Sequence, residues 1–173
     1  MLTVMMECRD HEAELAHTLS FLVAGAVEGL VGDVVVLDHG SSDGTSSVAD
    51  AAGCRYYGKW DIKDILRGAR GEWLMLVEPG ARLQQGWIEE VGEYITLGKQ
   101  PARFTESRHH RRPLYQRMLR KVPPLEHGFL LPKREAVATV NSGMSLGDIA
   151  RSHKPRRLTT EIIPSWVARR ATA

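Results

Sequence analysis

The chain has 173 residues, of which 43% are hydrophobic and 25% charged, and a net charge of +2. This is the make-up of one soluble globular domain with a real core, which excludes a disordered or fibrous chain. The small net charge hides an asymmetry: residues 1–98 hold 7 Lys and Arg against 16 Asp and Glu, a net −9, whereas residues 99–173 hold 16 against 5, a net +11.

A basic half favours an anionic partner, whether a nucleotide diphosphate, a phospholipid surface or nucleic acid. The competing reading is that the two halves neutralise each other within one domain. Cys8 and Cys54 have neither metal-ligand spacing nor the pattern of a disulfide framework, which suits a reduced, cytoplasmic setting. Met1 to Cys8 lacks the basic-then-apolar pattern of a signal peptide, and the apolar stretch Leu19 to Ala26 is too short to span a bilayer.

In chain order, Leu2 to Glu7 reads as a buried strand, followed by the polar loop Arg9-Asp10-His11-Glu12. Leu15, Leu19, Leu22 and Val23 recur at helical spacing, which predicts a helix over Ala13 to Gly25. Val34 to Leu37 is a β-branched apolar run, read as a second buried strand, so a right-handed βαβ unit is expected. Asp38-His39-Gly40 then turns the chain, and Thr45 to Ala52 is a predicted helix with Asp43 as its cap and Gly53 beyond its end.

Cys54 to Tyr57 is a short third strand, and Ile62, Ile65, Leu66 and Ala69 predict a helix ending near Gly71. Trp73 to Val77 is a fourth, strongly apolar strand, broken sharply by Glu78-Pro79-Gly80, and Trp87 to Leu97 is a further helix. Beyond Gly98 the predicted pieces are a strand at Ala102 to Ser107, a basic stretch His109 to Lys121 with a short helix after Pro113, and a strand at Phe129 to Leu131. Helices at Arg134 to Asn141 and Leu146 to Ser152, a last strand at Arg157 to Ile163, and a mobile tail from Trp166 to Ala173 complete the reading.

These pieces resemble the family-2 glycosyltransferases of GT-A fold. That family has a first-strand loop of the type R-N-E-E, a second strand ending in V-D-D-G-S-x-D-G-T, and a fourth strand ending in D-x-D before a helix that follows a Trp. The matching pieces here are Arg9-Asp10-His11-Glu12, Leu37-Asp38-His39-Gly40-Ser41-Ser42-Asp43-Gly44-Thr45, and Val77-Glu78-Pro79-Gly80 with Trp87-Ile88 after it. The match runs from Met1 to about Val91, and Glu126-His127-Gly128-Phe129-Leu130 resembles the family's D-Q-G-hydrophobic segment near the acceptor site.

The resemblance implies an α/β fold of GT-A, Rossmann-like type: three layers, α/β/α, around a mostly parallel central sheet. It divides the single domain into a nucleotide-sugar-binding half, residues 1–98, and a basic acceptor-side half, residues 99–173. It implies a transferase moving a sugar from a nucleotide-diphosphate donor to an acceptor hydroxyl on a cell-envelope glycan or lipid. The alternative is a catalytically inactive protein of this fold that binds a nucleotide or a partner. The setting implied is cytoplasmic, with peripheral contact at the anionic inner face of a membrane. The chain is short for the family, so a partner chain or membrane surface is expected to complete the acceptor side. Nucleic acid is not an expected partner, since no helix-turn-helix, zinc or aromatic-interleaved basic pattern is present.

The candidate residues follow. Asp38 ends a strand where open α/β sheets place ligands, and its carboxylate can accept from an imide N–H or a ribose hydroxyl. Asp10, His39 and Gly40 are expected beside it around the donor. Glu78 is the candidate ligand for Mn²⁺ or Mg²⁺, but Pro79 and Gly80 leave one carboxylate where the family has two, a poor hard-cation site. Asp148 and Glu126 are the candidates for the catalytic base. The cluster Arg108-His109-His110-Arg111-Arg112 offers positive charge for a leaving diphosphate or an anionic head group.

Overall fold

The computed structural model describes residues 1–98, 100–110 and 122–171. The elements in order are Leu2–Cys8 (β1), Glu12–Val27 (α1), Val31–Asp38 (β2), Thr45–Ala51 (α2), Arg55–Tyr57 (β3), Ile62–Gly68 (α3), Trp73–Leu76 (β4) and Arg82–Leu83 (β5). Trp87–Leu97 (α4), Ala102–Glu106 (β6), a 3₁₀ turn at Arg108–His110, Phe129–Pro132 (β7), Lys133–Thr139 (α5), Leu146–Arg151 (α6), Arg156–Ile163 (β8) and Ser165–Ala171 (α7) follow.

The strands form one sheet in the order β3-β2-β1-β4-β7-β6-β8-β5. The first four are mutually parallel, β7 runs antiparallel to β4 and β6, β8 is parallel to β6, and β5 is antiparallel to β8. Alternation along each strand sends side chains to two separate cores. From β1, Leu2, Val4, Met6 and Cys8 join the first core while Met5 joins the second; from β4, Trp73 and Met75 join the first while Leu74 and Leu76 join the second. Helices α1, α2 and α4 supply the first core through Leu15, Leu19, Ala49, Trp87 and Val91. Helices α3, α5 and α6 supply the second through Ile62, Leu66, Ala136, Leu146 and Ile149. The expected three-layer α/β/α architecture is therefore the one observed.

The differences from the sequence reading are local, with one exception. Helix α3 stops at Gly68 because Ala69 is extended, which leaves Gly71 to pass under β1. The two-residue strand β5 carries too little pattern to be read. The exception is the tail: Ser165–Ala171 is helical where the sequence reading has no element. Buried Ser165 starts this helix, and Trp166 hydrogen-bonds Glu126 at 3.1 Å, so tertiary contacts order a segment whose own propensity is slight. The helix expected after Pro113 falls outside the described residues. Among the described residues no helix is long and apolar enough to cross a membrane.

Gly71 shows how tightly β1 is seated. A Cβ there would lie 2.5 Å from the Thr3 backbone nitrogen and 2.8 Å from the Met1 carbonyl oxygen, neither of which can move aside alone. Gly71→Ala is expected to destabilise by about 1–3 kcal/mol, the usual cost of overpacking. Gly92→Ala, at a position in α4 with nothing within 4 Å of the added methyl, should instead stabilise by roughly 0.5–1 kcal/mol. Urea denaturation of the two variants checks both signs.

Candidate active site

Because β1, β2, β3, β4, β6 and β8 run the same way, their carboxyl ends share one edge of the sheet, joined there by the amino ends of β7 and β5. Asp38, Glu7, Glu78, Glu106 and the Glu126-His127 turn all fall on that edge. Chain order reverses around β1: the chain goes from β1 outward to β2 and β3, then returns to β4 on the other side. This switch point is where open α/β sheets leave a crevice for a ligand.

At the β1–β2 side, two loops are laced together by hydrogen bonds. The Asp10 carboxylate accepts from the Ser42 N–H at 2.7 Å and the Ser42 hydroxyl at 3.1 Å, while the Asp10 N–H donates to Ser41 Oγ at 2.8 Å. The His11 N–H donates to Thr45 Oγ1 at 3.0 Å, the Glu12 N–H to Asp43 Oδ2 at 2.9 Å, and the Gly44 N–H back to Glu12 Oε2 at 3.0 Å. Asp10 holds φ 52°, a left-handed conformation that Asp tolerates better than most residues. Asp43 does serve the start of α2, accepting from the Thr45 N–H at 3.0 Å, although Gly44 occupies the cap position itself.

Asp38 is 3% exposed. Its Oδ2 accepts the Gly40 N–H at 2.9 Å and the Ser41 N–H at 2.8 Å, its Oδ1 accepts the Ser41 hydroxyl, and the Tyr56 hydroxyl also bonds the carboxylate. Burial alone pushes this carboxyl up. The hydrogen bonds from Ser41, Tyr56 and Gly40 outweigh it and hold the group below the usual Asp range. The Asp10 and Asp43 carboxyls are likewise lowered, chiefly by Ser42 and Thr45 respectively. A nucleoside reaching Asp38 would exchange with one of these donors. The His39 side chain is 46% exposed. Its Nε2 is 3.7 Å from Glu7 Oε2, and its ring meets Trp60 edge-on at 5.3 Å. Trp60 Nε1 donates to the Asp38 carbonyl oxygen at 3.3 Å.

The switch point itself holds a cavity of about 290 Å³, lined by Glu7 and His11 from the β1 side, Glu78 and Pro79 from the β4 side, and Leu125 and Arg151 opposite. Glu7 is a site residue that the sequence reading passes over. Its signal is a carboxylate in the otherwise buried run L-T-V-M-M-E-C, and its Oε1 accepts the Leu146 N–H at 2.8 Å, tying β1 to α6. Glu78 accepts the Ser165 hydroxyl on Oε2.

The two candidates for a base sit differently. Asp148 does not line the cavity, which takes Ser145, Gly147 and Arg151 from this segment. Its carboxylate closes a capping box with Ser145 (3.0 Å from the Ser145 N–H) and accepts Arg151 Nη1 at 2.6 Å. These bonds, Ser145 first and then Arg151, lower its carboxyl. Glu126 is 2% exposed and adjoins the Leu125 wall, with Oε1 accepting from Trp166. The described part of the basic cluster faces elsewhere. Arg108 pairs with Glu161 at 3.3 Å, and His109 lines an open groove with Glu89, Glu90, Glu93 and Glu161. Arg111 and Arg112 lie outside the described residues.

No known protein family matches the chain, and no curated protein matches it. Solved structures do. Glucosyl-3-phosphoglycerate synthase from Mycobacterium tuberculosis, in complex with Mn²⁺ and UDP-glucose, superposes with TM-score 0.65 at 14% identity over 95% of this chain and 70% of that one. The same enzyme with Mn²⁺, UDP and glucosyl-3-phosphoglycerate gives 0.62 at 15% identity, over 95% and 71%. Mannosyl-3-phosphoglycerate synthase from Rubrobacter xylanophilus gives 0.60 at 16% identity over 78% and 54%. The chain thus spans between 54% and 71% of these structures' lengths, and the likeness establishes a GT-A-type fold.

The laced loops make a pH prediction. Asp10, Asp38 and Asp43 all have lowered carboxyls, so the unfolded chain binds protons first as pH falls. Their stabilisation is complete above the unfolded Asp value, about 3.9, and is lost as pH falls through the lower folded values. Thermal midpoints should be flat from neutral pH down to about 5 and then decline. Asp38→Asn, which keeps the shape and removes the charge, should lower the neutral-pH midpoint and flatten the acid decline. A midpoint equal to wild type at pH 7 would show that the turn does not depend on the carboxylate.

Proposed function

We propose that the chain transfers a sugar from a nucleoside-diphosphate donor to an acceptor hydroxyl. The observation that carries this reading is the cavity at the β1–β4 switch point of a GT-A-type sheet, with the β1 and β2 loops locked beside it. The attacking hydroxyl needs a base, and the departing diphosphate needs positive charge. In this reading the Asp38-His39-Gly40 turn and Asp10 meet the nucleoside, with Asp38 holding the turn and His39 and Trp60 forming its open rim. Neither Glu126 nor Asp148 lines the cavity, and Glu126 is the base in this reading because Asp148 is committed to the start of α6.

The Glu78 turn offers a divalent ion one carboxylate, already bonded to Ser165. Such an ion takes several oxygen ligands, so the turn alone does not fit Mn²⁺ or Mg²⁺. Charge on the diphosphate falls instead to Arg151, which lines the cavity together with the His11 ring. The acceptor proposed is a glycan or lipid of the cell envelope, met at an anionic membrane face. A small phosphorylated acid, as bound by the structural neighbours, is the comparison acceptor. The second reading, a nucleotide-binding protein without catalysis, is favoured by one specific observation: Pro79 and Gly80 replace the rest of the metal motif.

Calorimetry with UDP-glucose and GDP-mannose, with Mn²⁺ or with EDTA, tests the reading. Binding of one donor should survive EDTA, and Arg151→Ala should weaken it about tenfold or more, the cost of a lost charged hydrogen bond. Absence of binding to either donor under all conditions would overturn the donor reading. Donor binding without release of nucleoside diphosphate, across glycan, lipid and phosphoglycerate acceptors, would select the non-catalytic reading.

A further inference from the structure

The switch-point cavity is small. Its volume, about 290 Å³, lies at the foot of the usual range for small-molecule pockets, roughly 300–1,000 Å³, so it has room for one sugar ring rather than a whole nucleotide sugar. Of the carboxylates on β1 and on the two laced loops, Glu7 alone lines it. Asp10, Glu12, Asp38 and Asp43 accept backbone N–H groups of the loops themselves. Glu7 is held by one oxygen, Oε1, which accepts the Leu146 N–H at 2.8 Å. Among the described residues its Oε2 accepts no hydrogen bond: His39 Nε2 lies 3.7 Å away, beyond hydrogen-bond range. We propose that Glu7 selects the transferred sugar, with Oε2 accepting a ring hydroxyl and its charge turning away sugars that carry a carboxylate of their own.

This selection rests on the sugar-transfer reading and gives the ligand a direction in the cavity. The other polar groups of the lining are donors. His11 Nδ1 accepts the Arg9 N–H at 3.2 Å, and a backbone N–H can only donate, so the neutral ring carries its proton on Nε2. Arg151 gives one of its five N–H groups to Asp148 and keeps the rest. Glu78, the second carboxylate of the lining, is bonded to Ser165. With the diphosphate beside Arg151, the sugar attached to it turns its hydroxyls to Glu7. A hydroxyl can donate to Oε2. A sugar carboxylate cannot donate, and it meets Glu7 as a like charge with no water to screen the pair once the ring fills the cavity. Specificity of this kind comes as much from the rejected ligand as from the accepted one.

Two donor pairs test this by calorimetry on the full chain: UDP-glucose against UDP-glucuronate, and GDP-mannose against GDP-mannuronate. Within a pair only C6 differs, a hydroxymethyl group against a carboxylate. UDP and GDP are the sugar-free controls. Wild type should bind the neutral member of one pair about tenfold or more tightly than the acidic member, the weight of a hydrogen bond to a charged group. Glu7→Gln keeps an oxygen for the Leu146 N–H and so puts its amide NH₂, a donor, where Oε2 stands. The loss should fall on the sugar: the neutral donor weakens more than free diphosphate, and most of the discrimination disappears. Glu7→Asp, which keeps the charge, should keep the preference for the neutral member. Equal binding of the two members by wild type, or an unchanged preference in Glu7→Gln, overturns the role of Glu7. So does an equal loss of donor and free diphosphate in that variant, which marks a merely structural residue. Each of these leaves the sugar-transfer reading in place. Absence of binding of every donor and diphosphate by wild type removes that reading instead, and the sugar selection with it.

Discussion

The structure depends on one arrangement: β1 is hydrogen-bonded in parallel on both sides, Leu2 to Cys8 against Val31 to Asp38 and Leu2 to Met5 against Trp73 to Leu76. A strand so placed needs apolar side chains on both faces, and Leu2, Val4, Met5 and Met6 are fully buried. Burying such side chains contributes about 1.5–3 kcal/mol each. Parallel pairing also forces each return to cross the sheet, which carries every parallel strand's carboxyl end to the same edge. The cavity between Glu7 and Glu78 exists because the chain leaves β1 on one side and comes back on the other. The site is a consequence of topology before it is one of chemistry.

That edge explains the charge asymmetry in another way than a simple balance between halves. The acidic first half places its carboxylates on backbone N–H groups: Asp10 on Ser42, Glu12 on Gly44, Asp38 on Gly40 and Ser41, Asp43 on Glu12 and Thr45. Loops at strand ends carry many N–H groups with no strand partner, and a carboxylate can accept several at once. Among the described residues, carboxylates of the first half meet neutral donors of the second, Thr159 and Thr160 on Glu90, the Leu146 N–H on Glu7 and Ser165 on Glu78, while the charged Lys133 Nζ bonds the Arg67 and Ala69 carbonyl oxygens. The ion pairs of Arg55, Arg108 and Arg151 stay within their own half.

The first ninety residues were legible because each strand is short, apolar and bounded by a glycine or polar turn. The helix Trp87–Leu97 matched its expected bounds for the same reason, with Trp87 and Val91 buried on one face. What sequence could not show was the direction of polar side chains. Asp38 at a strand end reads equally as a ligand contact or as the keystone of its own turn, and only its four donors reveal the second role. Asp148 offers the signal of a capping box, S-L-G-D, as clearly as that of a base. Glu7 was hidden because alternation alone does not say that one face of β1 ends at a crevice. Glu106 and the Glu126-His127 turn lie in different segments, and only the β6–β7 pairing brings them together.

The helical tail and the turn at Glu78-Pro79-Gly80 are packed against each other. Gly80 holds φ 93°, donates its N–H to Thr18 Oγ1 at 2.8 Å and to the Glu14 carbonyl oxygen at 3.1 Å, and thereby packs the turn onto α1. A Cβ at Gly80 would lie 3.2 Å from the Ser165 carbonyl oxygen and 3.3 Å from the Ala168 Cβ. An aspartate there would be strained in backbone and crowded by α7. Ser165 meanwhile bonds the one carboxylate that remains. The turn and the last helix fit each other closely, so a carboxylate at position 80 would require α7 to give by a few tenths of an ångström and a side chain to sit on a left-handed backbone. The glycine at position 80 and the seat of α7 therefore go together. A carboxylate put at position 80 with α7 unmoved would meet both a strained backbone and that crowding.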